Sequence, residues 1–361
     1  IKSCVTLNDS KSGFFASHTG LRQGENLSPL LFSIFLNDLE TYLQAKTNGG
    51  IELELCTDEI YFYTKLVVLL YADDIVIIAD SPEKLQHSLN GFVTYCKSWK
   101  LNINYDKTKI VVFGSRNIDK LVFEMEGNNI EIVKNYKYLG VIMSNNGSFL
   151  SARKCVYEKA NKAMHLLYKR INNLNLPLDL QLKLFDKTIL PIISYGCEIW
   201  GFENLQMFER IHNSFLRTII KCKKSTPLYM LYREMGRYPI EITIKAKIIG
   251  FCTRIVTGSQ LKLVNLLYQK LLFIGGQKFK WIRNMQSIFQ EVGRYDIWLK
   301  QHENLSTNLH HKVKKILIDQ FIQKWHQSLN ESSKGRNYSF IKSDPEFEEY
   351  LTILPRSKYF H

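Results

Sequence analysis

Hydrophobic and polar positions in the first third of the chain form short β-type runs around two helical stretches. Beyond residue 148 they settle into the 3.6-residue period of long helices. The clearest short runs are Leu66-Val67-Val68-Leu69-Leu70 and Ile75-Val76-Ile77-Ile78-Ala79, separated only by Tyr71-Ala72-Asp73-Asp74. Aliphatic and β-branched residues on both sides of so short a break predict a buried hairpin whose tight turn presents two adjacent carboxylates. Upstream, residues 1–5 and 13–15 predict two short strands joined by Asn8-Asp9-Ser10-Lys11-Ser12, and residues 20–27 a polar loop. Ser28-Pro29 predicts a helix to about residue 43 with Leu30, Leu31, Ile34, Phe35 and Leu39 on its buried face, because serine caps exposed N–H groups and proline fits the first helical turn.

Ser81-Pro82-Glu83 repeats that start signal, and the helix it opens runs to about Trp99 with Leu85, Leu89, Phe92, Val93 and Cys96 inward. A strand at 110–113, a hairpin at 121–133 around Gly127-Asn128-Asn129 and a strand at 136–142 follow. The front part is thus α+β with one antiparallel sheet. The rear part is all-α: a helix over 149–172 with Phe149, Val156, Ala160, Ala163, Leu166, Leu167 and Ile171 inward, a helix over 178–197 kinked at Pro191, then helices over 204–222, 240–257 and 259–273. Gly275-Gly276 is the best linker, and helix resumes to about residue 329.

Composition changes this picture in three ways. A 361-residue chain with 45% hydrophobic content buries a full core and divides into two or three domains. Charge is uneven: residues 1–150 hold 14 basic and 17 acidic residues, whereas residues 151–361 hold 34 and 17. A basic rear suits a polyanion such as nucleic acid, although a solvated charged surface is an equal competitor. The seven cysteines (Cys4, Cys56, Cys96, Cys155, Cys197, Cys222 and Cys252) are scattered, with no zinc-ligand spacing, so neither a disulfide framework nor a zinc site is expected. No apolar run approaches the roughly 18 residues of a membrane span, and an intracellular location, cytoplasmic and nuclear, is expected. The chain begins at Ile1 and its first methionine is Met125, which reads as a fragment of a longer protein.

Gly20-Leu21-Arg22-Gln23-Gly24-Glu25-Asn26-Leu27-Ser28-Pro29-Leu30-Leu31-Phe32, then Tyr71-Ala72-Asp73-Asp74, then Lys107-Thr108-Lys109, then Tyr138-Leu139-Gly140 occur in this order. The set resembles the palm of a non-LTR retrotransposon (LINE-like) reverse transcriptase. The resemblance implies a partial polymerase palm over 1–143, a helical thumb-like domain over 148–274 and a basic helical C-terminal region over 277–361. It implies an RNA-directed DNA polymerase working on an element RNA template, a DNA primer and deoxynucleoside triphosphates, with two Mg²⁺ ions and Mn²⁺ as a substitute.

On that resemblance Asp73 and Asp74 hold the metal ions and Lys107 approaches the pyrophosphate. Arg22, Gln23 and Gly24 shape the nucleotide and template site, and Tyr138, Leu139 and Gly140 form the primer grip. The family's third carboxylate lies in a motif upstream of Gly20 that has no match here: Asp9 sits in an unlike turn, Asp80 at the far end of the second strand and Asp38 on a helix behind the loop. The fingers, an endonuclease domain and a cysteine-histidine knuckle have no match either. The expectation is therefore a polymerase by family whose activity in this chain is incomplete, and the competing reading is a non-catalytic nucleic-acid-binding remnant. Lys221-Cys222-Lys223-Lys224 and His310-His311-Lys312-Val313-Lys314-Lys315 are its candidate phosphate contacts, against the plainer reading of solvated helix faces. The aromatic set Tyr195, Trp200, Phe202, Phe208 and Phe215 reads as core rather than a stacking platform.

Overall fold

A computed structural model describes residues 2–16, 20–21, 24–56, 61–114, 120–174, 176–259, 262–300 and 308–331, with positions 338, 347, 348 and 351. The chain divides into two compact units, Ile1–Val133 and Lys134–His361. Helices combine with small antiparallel ladders, an α+β composition.

In the first unit the strands pair as local hairpins: Lys2–Ser3 with Phe15–Ala16, Thr6–Leu7 with Ser10–Lys11, Ile51–Cys56 with Tyr61–Leu66, Val68–Tyr71 with Asp74–Ile77, and Glu124–Met125 with Asn128–Asn129. The expected single sheet is replaced, among the described residues, by two-stranded ladders. Only isolated bridges, Gly50 to Ala79 and Ile110 to Ile132, link segments beyond them. Residues 110–113 accordingly form no strand: Ile110 exchanges backbone bonds with Glu131 and Val133 and the ladder stops there.

Helix Pro82–Trp99 organises this unit. Ser81 caps it by accepting from the Lys84 N–H at 3.2 Å, as its sequence predicts. One side of the helix packs Tyr95 against Leu36, Leu39, Leu43, Val67 and Val68. The other packs Leu89 and Val93 against Ile110, Phe123, Met125 and Ile130, and Phe92 and Ile77 touch both clusters.

The helix expected from Ser28 to about residue 43 is two helices, Ser28–Phe35 and Leu39–Lys46. Ser28 does not cap the first, which follows directly from a helical Leu27. The break turns the apolar residues of the two segments to different sides. Leu36, Leu39 and Leu43 enter the core, whereas Leu30 is 57% exposed and Ile34 62%, and Leu31 and Phe35 are exposed too. The buried face predicted there therefore reduces to Leu39.

The second unit opens with the hairpin Asn135–Tyr138 and Val141–Ser144 and continues through helices Leu150–Leu174, Leu178–Leu184, Gln206–Ile219, Leu228–Glu234, Ile240–Val256, Leu263–Phe273, Lys280–Glu291 and Leu309–Glu331. One continuous core holds Phe185, Trp200, Phe208, Phe215, Ile244, Met285 and Val313, and so spans both sides of Gly275. At Pro191 the bend takes a definite form. Residues Phe185–Ile189 widen into a π-turn in which the Leu190 N–H reaches back five residues to the Phe185 carbonyl. A proline has no N–H and crowds the carbonyl four residues back, and the extra residue in the turn relieves both problems. Helix Leu150–Leu174 buries Val156, Ala160, Leu167 and Ile171 as predicted, but Leu166 faces outward. Among the described residues no helix is long and apolar enough to cross a membrane.

Candidate functional site

The acidic hairpin pairs Val68 with Ile77, Leu69 with Val76, Leu70 with Ile75 and Tyr71 with Asp74. Its turn is therefore only two residues, Ala72 and Asp73, and Asp74 is the first residue of the returning strand. Two-residue hairpin turns need a positive φ at their first position and usually place glycine there. Here it is Ala72, at φ 52°, a left-handed conformation costing an L-residue about 1 kcal/mol. Val67 and Val68 are buried, and Ile75 and Ile77 lie half-buried against the same cluster. Tyr71, Ala72, Asp73 and Asp74 are exposed. An anchored base thus carries a strained tip with both acids in solvent.

The neighbouring acids are engaged elsewhere. Asp38, just before helix Leu39–Lys46, accepts from the Tyr95 hydroxyl at 2.5 Å. Burial first, and then this bond to Asp38, hold the Tyr95 hydroxyl well above the ordinary tyrosine range. Glu40 accepts from Gln44 at 3.2 Å. Asp80 pairs with Lys84 at 2.9 Å, and that bond keeps its carboxyl below the usual range. Glu126 is bonded by Lys97 and Tyr105, Lys97 being the larger cause of its lowered pKa. Asp73 and Asp74 have no hydrogen bond or ion pair with any described residue. Two exposed carboxylates with nothing bound to them offer the hard oxygen donors that Mg²⁺ takes. Among the described residues no three His, Cys, Asp or Glu side chains gather around one point. A pocket of about 150 Å³ opens beside the turn, lined by Ser33, Leu36, Asn37, Glu40, Leu70 and Ala72.

Lys107 lies exposed in a closed turn. Its N–H donates to Asn104 Oδ1 at 3.1 Å, and the Thr108 N–H and hydroxyl both donate to the Asn104 carbonyl. Gly24 is exposed at φ 92°, a conformation that favours glycine. Arg22 and Gln23 lie outside the described residues. Tyr138, Leu139 and Gly140 belong to the second unit, where Tyr138 pairs with Val141 and leaves Leu139-Gly140 as another two-residue turn. Both turn residues have positive φ, 45° and 82°.

Asp73 and Asp74 are thus adjacent, Lys107 sits on a separate loop of the same unit, and the Tyr138-Leu139-Gly140 turn falls in the other unit. One residue near that turn escaped sequence reasoning. Of the five aromatics read as core, Trp200, Phe208 and Phe215 are fully buried and Phe202 packs on the core, but Tyr195 is 56% exposed. Its only signal in the sequence is the Gly196 that follows it.

Residues 1–143 match the family described as reverse transcriptase (RNA-dependent DNA polymerase). The chain is 25% identical over 241 residues to the "Probable RNA-directed DNA polymerase from transposon BS" of Drosophila melanogaster, an alignment covering 62% of this chain and 24% of that protein. It is 26% identical over 261 residues to the "RNA-directed DNA polymerase from mobile element jockey" of Drosophila funebris, covering 69% and 26%. It is 27% identical over 136 residues to the "Retrovirus-related Pol polyprotein from type-1 retrotransposable element R2" of Popillia japonica, covering 36% and 21%. The chain spans about a quarter of the length of these relatives.

Proposed function

From the premise that this chain, through residues 1–143, belongs to the reverse transcriptases of non-LTR retrotransposons, we propose that it is part of an RNA-directed DNA polymerase and that Asp73 and Asp74 are its metal-holding acids. The observation that carries this reading is the anchored hairpin tip. Its two carboxylates stand without protein partners while Asp38, Glu40 and Asp80 beside them are engaged. Substrates on this reading are an RNA template, a DNA primer and deoxynucleoside triphosphates.

Two Mg²⁺ ions, or Mn²⁺ in their place, would activate the attacking 3′-oxygen and stabilise the leaving pyrophosphate. The chain's own residues bind and position. Asp73 and Asp74 supply carboxylate oxygens, and the short strained turn keeps both at the tip. Lys107 offers a cation to the departing phosphates. Arg22, Gln23 and Gly24 border the nucleotide and template, with Gly24 permitting close backbone approach. The Tyr138-Leu139-Gly140 turn supports the primer end. In this assignment residues 1–143 serve as part of a palm, 148–274 as a thumb and 277–361 as a basic extension.

Mn²⁺ binding followed by electron paramagnetic resonance tests the metal assignment without requiring synthesis. A site competed by Mg²⁺ and lost in both Asp73→Ala and Asp74→Ala is expected, and binding unchanged in both variants would refute it. Primer extension on poly(rA)/oligo(dT) tests the reaction, with incorporation expected to vanish in Asp73→Ala. The second reading, non-catalytic nucleic-acid binding, draws on the basic residues of 151–361. It expects salt-sensitive binding indifferent to Asp73→Ala, with no incorporation by the unaltered chain.

A further inference from the structure

Tyr195 follows the helical turn Leu190–Ile193 and precedes Gly196, and its side chain leaves the core to meet the Leu139-Gly140 turn. Its hydroxyl donates to the Leu139 carbonyl at 2.8 Å. Its ring lies so close to Gly140 that a Cβ there would stand 2.9 Å from the ring edge. The next residue repeats the approach: a Cβ on Gly196 would stand 2.9 Å from Val141 Cγ2. The tyrosine backbone is held from below, since Trp200, 1% exposed, donates from Nε1 to the Tyr195 carbonyl at 3.0 Å. A buried tryptophan thus fixes the main chain of Tyr195 while the side chain fixes the turn.

Ring packing alone is within the reach of phenylalanine, so the hydroxyl has a separate consequence. The turn's two left-handed residues expose the Leu139 carbonyl, and the hydroxyl sets the direction of that carbonyl. Because the Leu139–Gly140 peptide is planar and trans, setting the carbonyl also sets the Gly140 N–H, which points the opposite way from Tyr195. A fixed backbone N–H suits a phosphate oxygen and reads no sequence.

We propose that Tyr195 is a positioning residue for the primer: by bonding Leu139 it holds the Gly140 N–H toward the last phosphodiester of a recessed 3′ end. The inference rests on reading Tyr138-Leu139-Gly140 as the primer grip, and it adds the residue that shapes the grip and the group the grip binds.

The test uses the full chain and anisotropy of fluorescein-labelled RNA–DNA hybrids of equal length, one with a recessed 3′ end and one blunt, together with a recessed hybrid whose last linkage is a methylphosphonate. The unaltered protein should prefer the recessed end by about fivefold, the size of one hydrogen bond. Tyr195→Phe keeps the ring on Gly140 and should lose that preference while its blunt-end affinity and thermal midpoint stay put. The methylphosphonate should cost the unaltered protein the same factor and cost Tyr195→Phe nothing further. If the unaltered protein shows no preference for recessed ends, the primer-grip reading fails and this inference with it. If it shows the preference and Tyr195→Phe keeps it, the grip stands and the role of Tyr195 is overturned. A Tyr195→Phe loss that is equal on both hybrids also overturns it, since that is the mark of a merely structural contact.

Discussion

His212 lies in the core of the helical unit with its ring stacked on Phe185 at 5.2 Å and tilted against Tyr232 at 5.7 Å. Neither ring nitrogen has a hydrogen-bond partner, and Glu209 Oε2 is no nearer than 3.8 Å. Burial dominates and lowers its pKa. Glu209 and Asp186 pull the other way, and Arg237, itself paired with Asp186, reinforces the lowering. The folded chain therefore holds His212 neutral, while in the unfolded chain a histidine takes up a proton near pH 6.5. Below that pH the unfolded state binds the extra proton, so stability falls as the pH drops from about 6.5 toward the lowered folded pKa, and above about 6.5 this loss is absent. His212→Leu removes the titrating group and two unbonded polar atoms from an apolar site. Thermal melts should show a smaller drop in midpoint between pH 7 and pH 5.5 for the variant than for the parent, and parallel curves would mean that His212 is not the group responsible. At pH 7 the exchange should be near neutral or slightly stabilising, since unsatisfied buried polar atoms cost about 1–3 kcal/mol each and lost ring packing offsets part of that.

The same Ser-Pro signal occurs twice in the first unit and means different things. Ser81 bonds the Lys84 N–H, whereas Ser28 lies inside a helix that has no side-chain cap. Ser81→Ala should destabilise by about 1 kcal/mol and Ser28→Ala by only a few tenths, a contrast that urea melts of both variants can resolve. What the sequence conveyed well is local: period-two runs separated by two-residue breaks specify the hairpins at 68–77, 124–129 and 135–144, because a tight turn alone sets their register. What it concealed is tertiary. The helix break at Leu36-Asn37-Asp38 has no glycine or proline to mark it, and it makes sense only once Tyr95, 57 residues away, is seen bonded to Asp38. The hairpin of Ile51–Cys56 with Tyr61–Leu66 has no counterpart in the sequence reading. Of the proposed site, the acids and both turns were legible because they are contiguous, and Tyr195 was not, because an aromatic beside a core stripe looks like core until its exposure is known. The exposed side of Ser28–Phe35 gives a further expectation. Leu30→Gln with Ile34→Gln removes no buried contact, so the thermal midpoint should move by less than that of a core substitution, typically 2–5 kcal/mol for leucine or isoleucine to alanine.

Charge is a property of the whole chain, and its excess lies beyond residue 150. The most regular display of it is helix Leu150–Leu174, whose outward face carries Lys154, Lys159, Lys162, His165, Lys169 and Arg170 against a single acid, Glu158. None of these cations is in an ion pair among the described residues, whereas Lys245 on another helix is held by Glu241 and Glu291. At about 1.5 Å per residue, Lys154 and Lys169 stand roughly 23 Å apart, so the face follows a phosphate backbone over several nucleotides. Counterion release makes each phosphate contact visible as about 0.9 in the slope of log affinity against log salt for B-form duplexes. Replacing Lys154, Lys162 and Lys169 together by glutamine should flatten that slope by up to about 3 and weaken binding at low salt, with the two proteins converging as salt rises. The change should be the same in an Asp73→Ala background, because the acids of the hairpin and the cations of this helix act on different parts of the ligand. An unchanged slope would mean that this face is solvated and idle, and that the affinity for polyanions must come from other basic residues of the rear half.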